Sequence, residues 1–246
     1  MNLLKNILGR LWALWALVSF ITTFCIIYLP SMVTWLIPDP KGQDIFIKIS
    51  RAWMSVWLTM IGCRYVVKGK EHFKKGESYI ITCNHNSFLD PPLSSPFIQG
   101  PNKTIAKSDF DKIPIFNFFY RKGGIMVDRK SEESRRKSYE AMKKVLAQGI
   151  HMCIYPEGTR NRTEEPLKKF HNGAFRLSVE TGHSIMPAVL LNTKKVLPPN
   201  KTLWGWPHKV EIHFLEPVSP QGLNTEELKE KIFAIMKNYY LAHGGQ

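Results

Sequence analysis

The sequence predicts an α/β fold in which a β-sheet is flanked by helices and is preceded by two hydrophobic helical segments. Two observations support this fold class. From about residue 64 to residue 215, short runs rich in β-branched residues alternate with longer stretches of helical periodicity. Before residue 64, long apolar stretches carry very few charged side chains. Strands that alternate with helices indicate a sheet with helices on its faces.

Seven segments are predicted to be strands: 65–67, 79–83, 104–106, 125–127, 152–155, 186–191 and 210–214. Three longer segments are predicted to be helices: 134–148, 172–181 and 226–240. In the first helix Tyr139, Met142 and Val145 share one face, and Gly149 follows the last turn. A glycine in that position is typical of a helix end.

The N-terminal segment is apolar enough to enter a membrane. No charged residue occurs in 11–37, and Lys5 and Arg10 precede this run. A bilayer span needs roughly 20 apolar residues. A cleaved signal peptide begins in a similar way, but no small-x-small cleavage site follows here and the run continues past Pro30. We therefore expect the segment to be retained.

A second apolar segment covers residues 45–63. Lys48 and Arg51 recur on one face of it at helical spacing, and Trp53 and Trp57 lie on the other face. This pattern is typical of an amphipathic helix with tryptophans at the membrane interface.

Two arrangements of these segments remain open. One is a transmembrane helix followed by a surface helix, and the other is a helical hairpin that enters one leaflet. Pro30 inside the first run and the charged stripe on the second favour the hairpin, and a pair of core helices is the least expected arrangement. We divide the chain into a membrane anchor, 1–63, and an α/β domain, 64–246.

The composition is strongly basic, with 34 Lys and Arg against 20 Asp and Glu and a net charge of +14. Such a balance favours nucleic acid, an anionic membrane surface or phosphate-bearing substrates as partners. Cys25, Cys63, Cys83 and Cys153 form no Cys-x-x-Cys pair and no cluster with histidine. Neither a zinc site nor a disulfide framework is therefore expected.

A histidine and an aspartate follow the predicted strand 79–83. His85 and Asp90 are five residues apart, and Pro91 and Pro92 continue the chain. Asp followed by Pro is typical of a helix start, so the segment is predicted to run from strand through loop into helix. A turning loop can bring the carboxylate to the imidazole, and such a pair can act as a general base. A lone histidine beside a helix-capping aspartate is an equally good interpretation of this motif alone.

Two further motifs follow predicted strands. Pro156-Glu157-Gly158-Thr159-Arg160 combines a carboxylate, a glycine and a guanidinium. Arginine binds phosphate oxygens in a bidentate manner, although a β-turn with a surface arginine is the simpler interpretation. Residues 123–129 end in Arg129, and residues 185–189 form an apolar segment that contains a proline.

Together and in this order, the four motifs resemble those of the glycerolipid acyltransferase family. Asn-His-x-x-x-x-Asp lies at 84–90, Gly-x-Ile-x-x-x-Arg at 123–129, Pro-Glu-Gly-Thr-Arg at 156–160 and the apolar strand at 185–189. Small departures occur at Met126 and Asn161, beside the motifs. The resemblance covers about residues 64–215 and implies the family's fold, a mixed sheet flanked by helices with an N-terminal two-helix membrane-anchoring motif.

The resemblance also implies roles for individual residues. His85 would deprotonate the acceptor hydroxyl and Asp90 would orient His85. The implied substrate-binding residues include the phosphate ligands Arg129 and Arg160, the helper Lys107, and the neighbours Glu157, Gly158 and Thr159.

The activity implied by the resemblance is acyl transfer from a thioester to the sn-2 hydroxyl of 1-acylglycerol 3-phosphate, giving phosphatidic acid. The donor would be acyl-CoA or acyl-carrier protein, as a substrate, with no cofactor or metal. The protein would associate with membrane lipids, lysophosphatidic acid and an anionic bilayer, at the cytoplasmic face of the inner or plasma membrane. No nucleic-acid partner is expected, because no nucleic-acid-binding motif occurs.

Other functions remain open. Within the same family the acceptor could be glycerol 3-phosphate or another lyso-lipid, and outside it the chain could be a non-catalytic basic membrane adaptor. A covalent acyl-enzyme is not expected, because the sequence has no Gly-x-Ser-x-Gly motif and Cys83 falls in an alternating strand pattern.

Overall fold

A computed structural model describes residues 3–244, apart from the side chains of Phe110 and Lys112. Within these residues seven strands form one sheet: Tyr65–Lys68 (β1), Ile80–Cys83 (β2), Asn102–Lys107 (β3), Gly124–Val127 (β4), His151–Ile154 (β5), Ile185–Leu191 (β6) and Val210–Phe214 (β7). The helices are Leu3–Val33 (α1), Lys41–Met60 (α2), Asp90–Ser94 (α3), Phe116–Gly123 (α4), Glu132–Ala147 (α5), Gly173–Thr181 (α6), Thr193–Val196 (α7) and Thr225–Gly244 (α8).

The strand order in the sheet is β1-β7-β6-β2-β5-β3-β4. The strands β6, β2, β5, β3 and β4 are mutually parallel, whereas β7 is antiparallel to β6 and β1 is parallel to β7. The predicted mixed sheet is therefore confirmed, and each predicted strand corresponds to one observed strand. The three predicted helices correspond to α5, α6 and α8.

The start of α5 was predicted two residues too late. The helix begins at Glu132, and the side chain of Ser131 caps it by accepting a hydrogen bond from the backbone N–H of Ser134 at 3.1 Å. The first turn, Glu132-Glu133-Ser134, is entirely polar. Apolar periodicity cannot reveal such a turn, whereas the capping serine could have done so.

Helices cover both faces of the sheet, so that each strand alternates its side chains between two hydrophobic clusters. On one face Ile81 and Cys83 of β2 pack with side chains of α2 and α3. On the other face Ile80 packs with side chains of α5, α6 and α8. The central strands β2, β5 and β6 are buried along their whole length, as is typical of parallel strands between two helical layers.

The helices α1 and α2 form an antiparallel hairpin that is held by indole hydrogen bonds. Trp53 Nε1 donates to Thr23 Oγ1 at 2.8 Å, and Trp57 Nε1 donates to the carbonyl oxygen of Ala16 at 3.2 Å. Both tryptophans are buried. The prediction that they lie at a membrane interface is therefore wrong: they lie between the two helices, where each indole N–H finds a partner in α1.

The second helix also faces the sheet. Arg51, predicted to lie on an exposed charged stripe, turns inward and donates to the carbonyl oxygens of Pro96 and Ile98 at 2.7 and 2.6 Å. Leu58 is fully buried in the cluster that also contains Ile81. Because α2 belongs to the same hydrophobic core as the sheet, the predicted domain boundary after residue 63 does not separate two hydrophobic cores.

The outer face of α1 consists of large apolar side chains. Small residues, among them Gly9, Ala13 and Ala16, lie on its buried face. Leu, Ile, Val and Trp side chains are exposed from Leu3 to Leu36. The segment Leu3–Leu36 is long and apolar enough to cross a membrane: its most apolar stretch of 18 residues has a mean hydropathy of 2.0, and 28% of that stretch is buried within the protein. One such helix near an N-terminus does not by itself establish a membrane span.

Candidate active site

The predicted site residues follow the carboxyl ends of parallel strands. The loop 84–90 follows β2, the loop 155–161 follows β5, and Arg129 follows β4. Because these strands are parallel, the loops emerge at one edge of the sheet, where open α/β proteins place their sites. The segment after β2 turns directly into the short helix α3 at Asp90, as predicted.

His85 and Asp90 meet across the turn. The Nδ1 atom of His85 lies 2.8 Å from Asp90 Oδ2. The same carboxylate oxygen accepts hydrogen bonds from the backbone N–H groups of Asn86 and Ser87, at 2.5 and 2.7 Å. Asp90 is fully buried, whereas 19% of the His85 side chain is exposed. The imidazole is thus oriented from behind by a buried carboxylate, with part of the ring reaching the surface.

The loop 155–161 supports His85 from its other sides. The Tyr155 ring lies 4.5 Å from the imidazole, centroid to centroid, and its hydroxyl lies 2.6 Å from Ser94 Oγ. The backbone N–H of Asn161 donates to the carbonyl oxygen of His85 at 2.6 Å. Neither Tyr155 nor Asn161 was predicted to support the histidine, although both flank the Pro-Glu-Gly-Thr-Arg motif.

Glu157 is buried behind the histidine. Its Oε1 accepts the backbone N–H of His85 at 2.8 Å, and its Oε2 accepts the backbone N–H of Lys168 at 2.9 Å. Burial raises the pKa of this carboxyl to about 7, although both N–H groups act in the opposite direction. The role in substrate binding that the resemblance implied stays a prediction.

The two arginines lie close to these loops. The guanidinium of Arg160 stacks on the Phe88 ring, 3.5 Å from its centroid, and so lies beside the His85 loop. Arg129 donates to the carbonyl oxygen of Gly158. Arg160 thus contacts the histidine loop and Arg129 contacts the loop after β5, and neither of these two contacts involves a carboxylate.

Gly158 has a backbone conformation that favours glycine. Its φ is +71°, and a Cβ at this position would lie 2.8 Å from a ring carbon of His171. A side chain would therefore displace either His171 or the turn that carries Thr159 and Arg160. Thr159 itself is exposed and accepts a hydrogen bond from Lys168 Nζ at 2.8 Å.

Lys107 pairs with an acidic residue of its own segment. It is the last residue of β3, is exposed and forms an ion pair with Asp109. Within residues 3–244, no hydrogen bond or ion pair joins it to the loop 84–90 or the loop 155–161. Its role as a helper at the phosphate stays a prediction.

Cys83 is the nearest thiol to His85 in sequence, and it is inaccessible. Its Sγ lies 3.9 Å from Cys153 Sγ, and both cysteines are fully buried. The contact with Cys153 and burial raise the pKa of the Cys83 thiol well above its ordinary value. A buried, protonated thiol is a poor nucleophile, which agrees with the predicted packing role.

One side of the site opens into a shallow cavity of about 400 Å³. Its lining residues are Glu157, Thr159, Lys168, Lys169, Phe170 and His171. The lining is mainly apolar, and two lysines and one buried carboxylate contribute its charged groups. Among the described residues, no group of three or more His, Cys, Asp and Glu side chains is arranged to bind a metal ion.

Known acyltransferases are similar to this chain in fold and in sequence. The crystal structure of the 1-acyl-sn-glycerophosphate acyltransferase PlsC from Thermotoga maritima superposes with a TM-score of 0.79 at 25% identity, and the match covers 97% of this chain and 96% of that one. The 1-acyl-sn-glycerol-3-phosphate acyltransferase of Borreliella burgdorferi is 32% identical over 189 residues, 76% of this chain and 74% of that protein.

A probable 1-acyl-sn-glycerol-3-phosphate acyltransferase of Mycoplasma pneumoniae is 24% identical over 233 residues, which cover 87% of this chain and 86% of that protein. The family model described as Acyltransferase matches residues 64–191, which include the histidine loop, both arginines and the apolar strand β6. The matched range contains all four motifs and more than half of the chain. The chain therefore belongs to the acyltransferase family.

Proposed function

We propose that this acyltransferase moves a fatty acyl chain from a thioester donor to the sn-2 hydroxyl of 1-acylglycerol 3-phosphate and so forms phosphatidic acid. The observation that carries the proposal is the oriented His85–Asp90 pair, with the guanidinium of Arg160 on the same loop and that of Arg129 on the loop after β5. The relatives named as acyltransferases of the same acceptor support it. The donor would be acyl-CoA or acyl-carrier protein.

His85 acts as the general base in this proposal. An ionised carboxylate only accepts hydrogen bonds, so Asp90 holds the proton on Nδ1 and leaves Nε2 with a free lone pair. Nε2 removes the hydroxyl proton as the acceptor oxygen attacks the thioester carbon. The tetrahedral intermediate then collapses, the carbon–sulfur bond breaks, and the imidazolium returns the proton to the thiolate. General-base assistance of this kind is worth about 10²–10⁴-fold.

The phosphate of the acceptor binds Arg160 and Arg129. A guanidinium can donate two parallel hydrogen bonds to one phosphate, which fixes both distance and orientation. The stacking of Arg160 on Phe88 restricts its rotamers before the substrate arrives. Such pre-organisation lowers the entropic cost of placing the hydroxyl next to His85.

The proposal is tested with the purified full chain, one acyl thioester and a panel of acceptors. We expect the highest kcat/KM with 1-acylglycerol 3-phosphate, and lower values with acceptors that have a larger head group or that lack the acyl chain. The panel contains glycerol 3-phosphate and lysophospholipids with choline or ethanolamine head groups. A higher kcat/KM with any of these would assign the enzyme to another acceptor.

His85→Ala should reduce acyl transfer by at least about 100-fold, because the base is lost. Asp90→Asn should also be severely impaired, since the amide can donate to Nδ1 and favour the wrong tautomer. The measurement is kcat at saturating substrates, with thermal unfolding in detergent as the control for folding. Substantial turnover by His85→Ala would rule out the mechanism.

Arg160→Lys should raise the acceptor KM about tenfold and leave the donor KM nearly unchanged. The substitution keeps the charge but removes the second parallel hydrogen bond, worth about 1.5 kcal/mol. Arg162→Lys, two residues away and exposed, is the matched control. Equal increases in both KM values would contradict the assignment of Arg160 to the acceptor phosphate.

We also propose that the α1–α2 hairpin holds the protein on one leaflet at the cytoplasmic face. Two separated parts of α1 touch the same globular domain. The backbone N–H of Gly205 donates to the carbonyl oxygen of Gly9 at 3.1 Å, and the Phe24 ring lies 5.3 Å from the Phe119 ring of α4. A helix fixed to one domain over this length favours the hairpin over a transmembrane helix.

High salt should not release the protein from membranes, whereas detergent should. Each large apolar side chain buried in lipid contributes about 1.5–3 kcal/mol, against about 1 kcal/mol for each basic residue near an anionic surface, a term that salt screens. The measurement is the fraction of protein in the pellet after ultracentrifugation. Release by salt alone would indicate a purely electrostatic attachment.

The hairpin places the N-terminus on the same side as the site. A cysteine engineered at the N-terminus should therefore resist an impermeant thiol reagent added outside intact cells and should react after lysis. Because Cys25 is exposed on α1, the variant is built on Cys25→Ser. Labelling from outside would contradict the hairpin and establish a transmembrane helix.

A further inference from the structure

Glu157 contacts the chain that carries the histidine and not an obvious substrate space. Each of its two carboxylate oxygens already accepts one backbone N–H, from His85 on one side and Lys168 on the other. Although it contributes to the wall of the shallow cavity, only 2% of the residue is exposed. Burial therefore leaves very little of this carboxylate accessible to an acceptor hydroxyl, although each oxygen has a second lone pair.

Glu157 makes one of four contacts that hold the backbone and the ring of His85. The backbone N–H of His85 is held by Glu157, its carbonyl oxygen by Asn161, its Nδ1 by Asp90, and its ring lies against Tyr155. Three of these four contacts come from the loop after β5. Of those three contacts, only the one from Glu157 is made by a charged group. Charge-assisted hydrogen bonds are about twice as strong as neutral ones.

Glu157 also connects the histidine loop to a third segment. Its second oxygen fixes Lys168, whose Nζ donates to Thr159 at 2.8 Å. The backbone N–H of His171 donates to the carbonyl oxygen of Pro156 at 2.8 Å. The loop after β2, the loop after β5 and the segment before α6 thus meet at one buried carboxylate.

We infer that Glu157 is a positioning residue, whose carboxylate sets the place of the His85 imidazole through the backbone and does not bind the acceptor. The inference deepens the proposed function, on which it rests. A general base must lie within hydrogen-bond reach of the proton that it removes, and a displacement of about 1 Å can lower the rate about 100-fold. Loss of the carboxylate therefore lowers kcat more than it raises either KM.

Glu157→Gln tests this with little change in volume. The amide can accept from one N–H, but its own NH₂ group faces the other N–H and cannot accept from it. We expect kcat to fall about 10–100-fold with both KM values within about twofold of wild type. Glu164→Gln, an exposed carboxylate of the same segment, is the matched control and should behave as wild type. A selective rise in acceptor KM would show instead that Glu157 binds the acceptor.

The pH dependence gives a second readout that loss of stability alone would not produce. Because the carboxyl of Glu157 has a pKa of about 7, protonation in the wild type replaces one accepting oxygen with a hydroxyl at acid pH. The titratable and charged groups around it are His85, Asp90, Lys168 and Tyr240, and all of them remain in the variant. The ratio of wild-type to Glu157→Gln kcat should therefore decrease from pH 8 to pH 6. A ratio that increases from pH 8 to pH 6 would overturn the inference, because the ionised carboxylate would then be the less effective form.

A third measurement does not depend on the substrate. Amide hydrogen exchange of a peptide covering residues 84–90 should be faster in Glu157→Gln than in wild type and unchanged in Glu164→Gln. Equal exchange in all three proteins would overturn the positioning role, even if the acceptor panel assigned the enzyme another substrate. Failure of wild type to acylate 1-acylglycerol 3-phosphate would overturn the proposed function alone.

Discussion

The site depends on one oxygen atom, Oδ2 of Asp90. Burying a carboxylate costs several kcal/mol, and each hydrogen bond to a charged group contributes about 1.5–3 kcal/mol. Oδ2 receives three donors, from the His85 ring and from the backbone of Asn86 and Ser87. The other oxygen, Oδ1, is buried and has no hydrogen-bond partner among the described residues. The hydrogen bonds that offset the cost of burying this charge are therefore all made to Oδ2. The same three bonds hold the loop in its turn and orient the imidazole.

The sheet supplies the frame on which this turn rests. The Asn84 side chain exchanges two hydrogen bonds with the backbone of Leu190, at 3.0 and 2.7 Å, and so ties the end of β2 to β6. On the other side, the loop after β5 fixes the backbone of His85. The histidine thus stands between contacts with β6 and contacts with the loop after β5, the two strands that flank β2. Its position is determined by these long-range contacts. The arrangement illustrates why sites of this class lie where strands end in parallel register.

Local pattern was sufficient to predict the seven strands and a sheet with helices on its faces, and the short turn after β2 made the meeting of His85 with Asp90 predictable. That the sheet is mixed was implied by the family resemblance, because the direction of strand pairing is a long-range property. Catalytic and binding roles of the individual residues remain predictions. Long-range contacts could not be read from the sequence. Nothing near Glu157 indicates that its carboxylate reaches a backbone N–H 72 residues away, and nothing near Arg51 indicates partners beyond position 95. Trp53 looked interfacial since its neighbours are apolar, yet its partner is Thr23 on the preceding helix.

The two faces of α1 restrict the choice of side chains in different ways. On the inner face, close neighbours restrict the volume of each side chain. An added Cβ at Gly9 would come within 2.3 Å of the Trp204 indole nitrogen, whereas the ring of Phe24 fills the space beside Trp53 and Phe119. On the outer face of the described helix, the leucines, isoleucines and valines are largely exposed. Under the proposed orientation in lipid, its leucines, isoleucines and valines are interchangeable. Substitutions accumulated over evolution should therefore alternate along this helix between positions restricted by volume and positions restricted only by polarity, with the period of an α-helix.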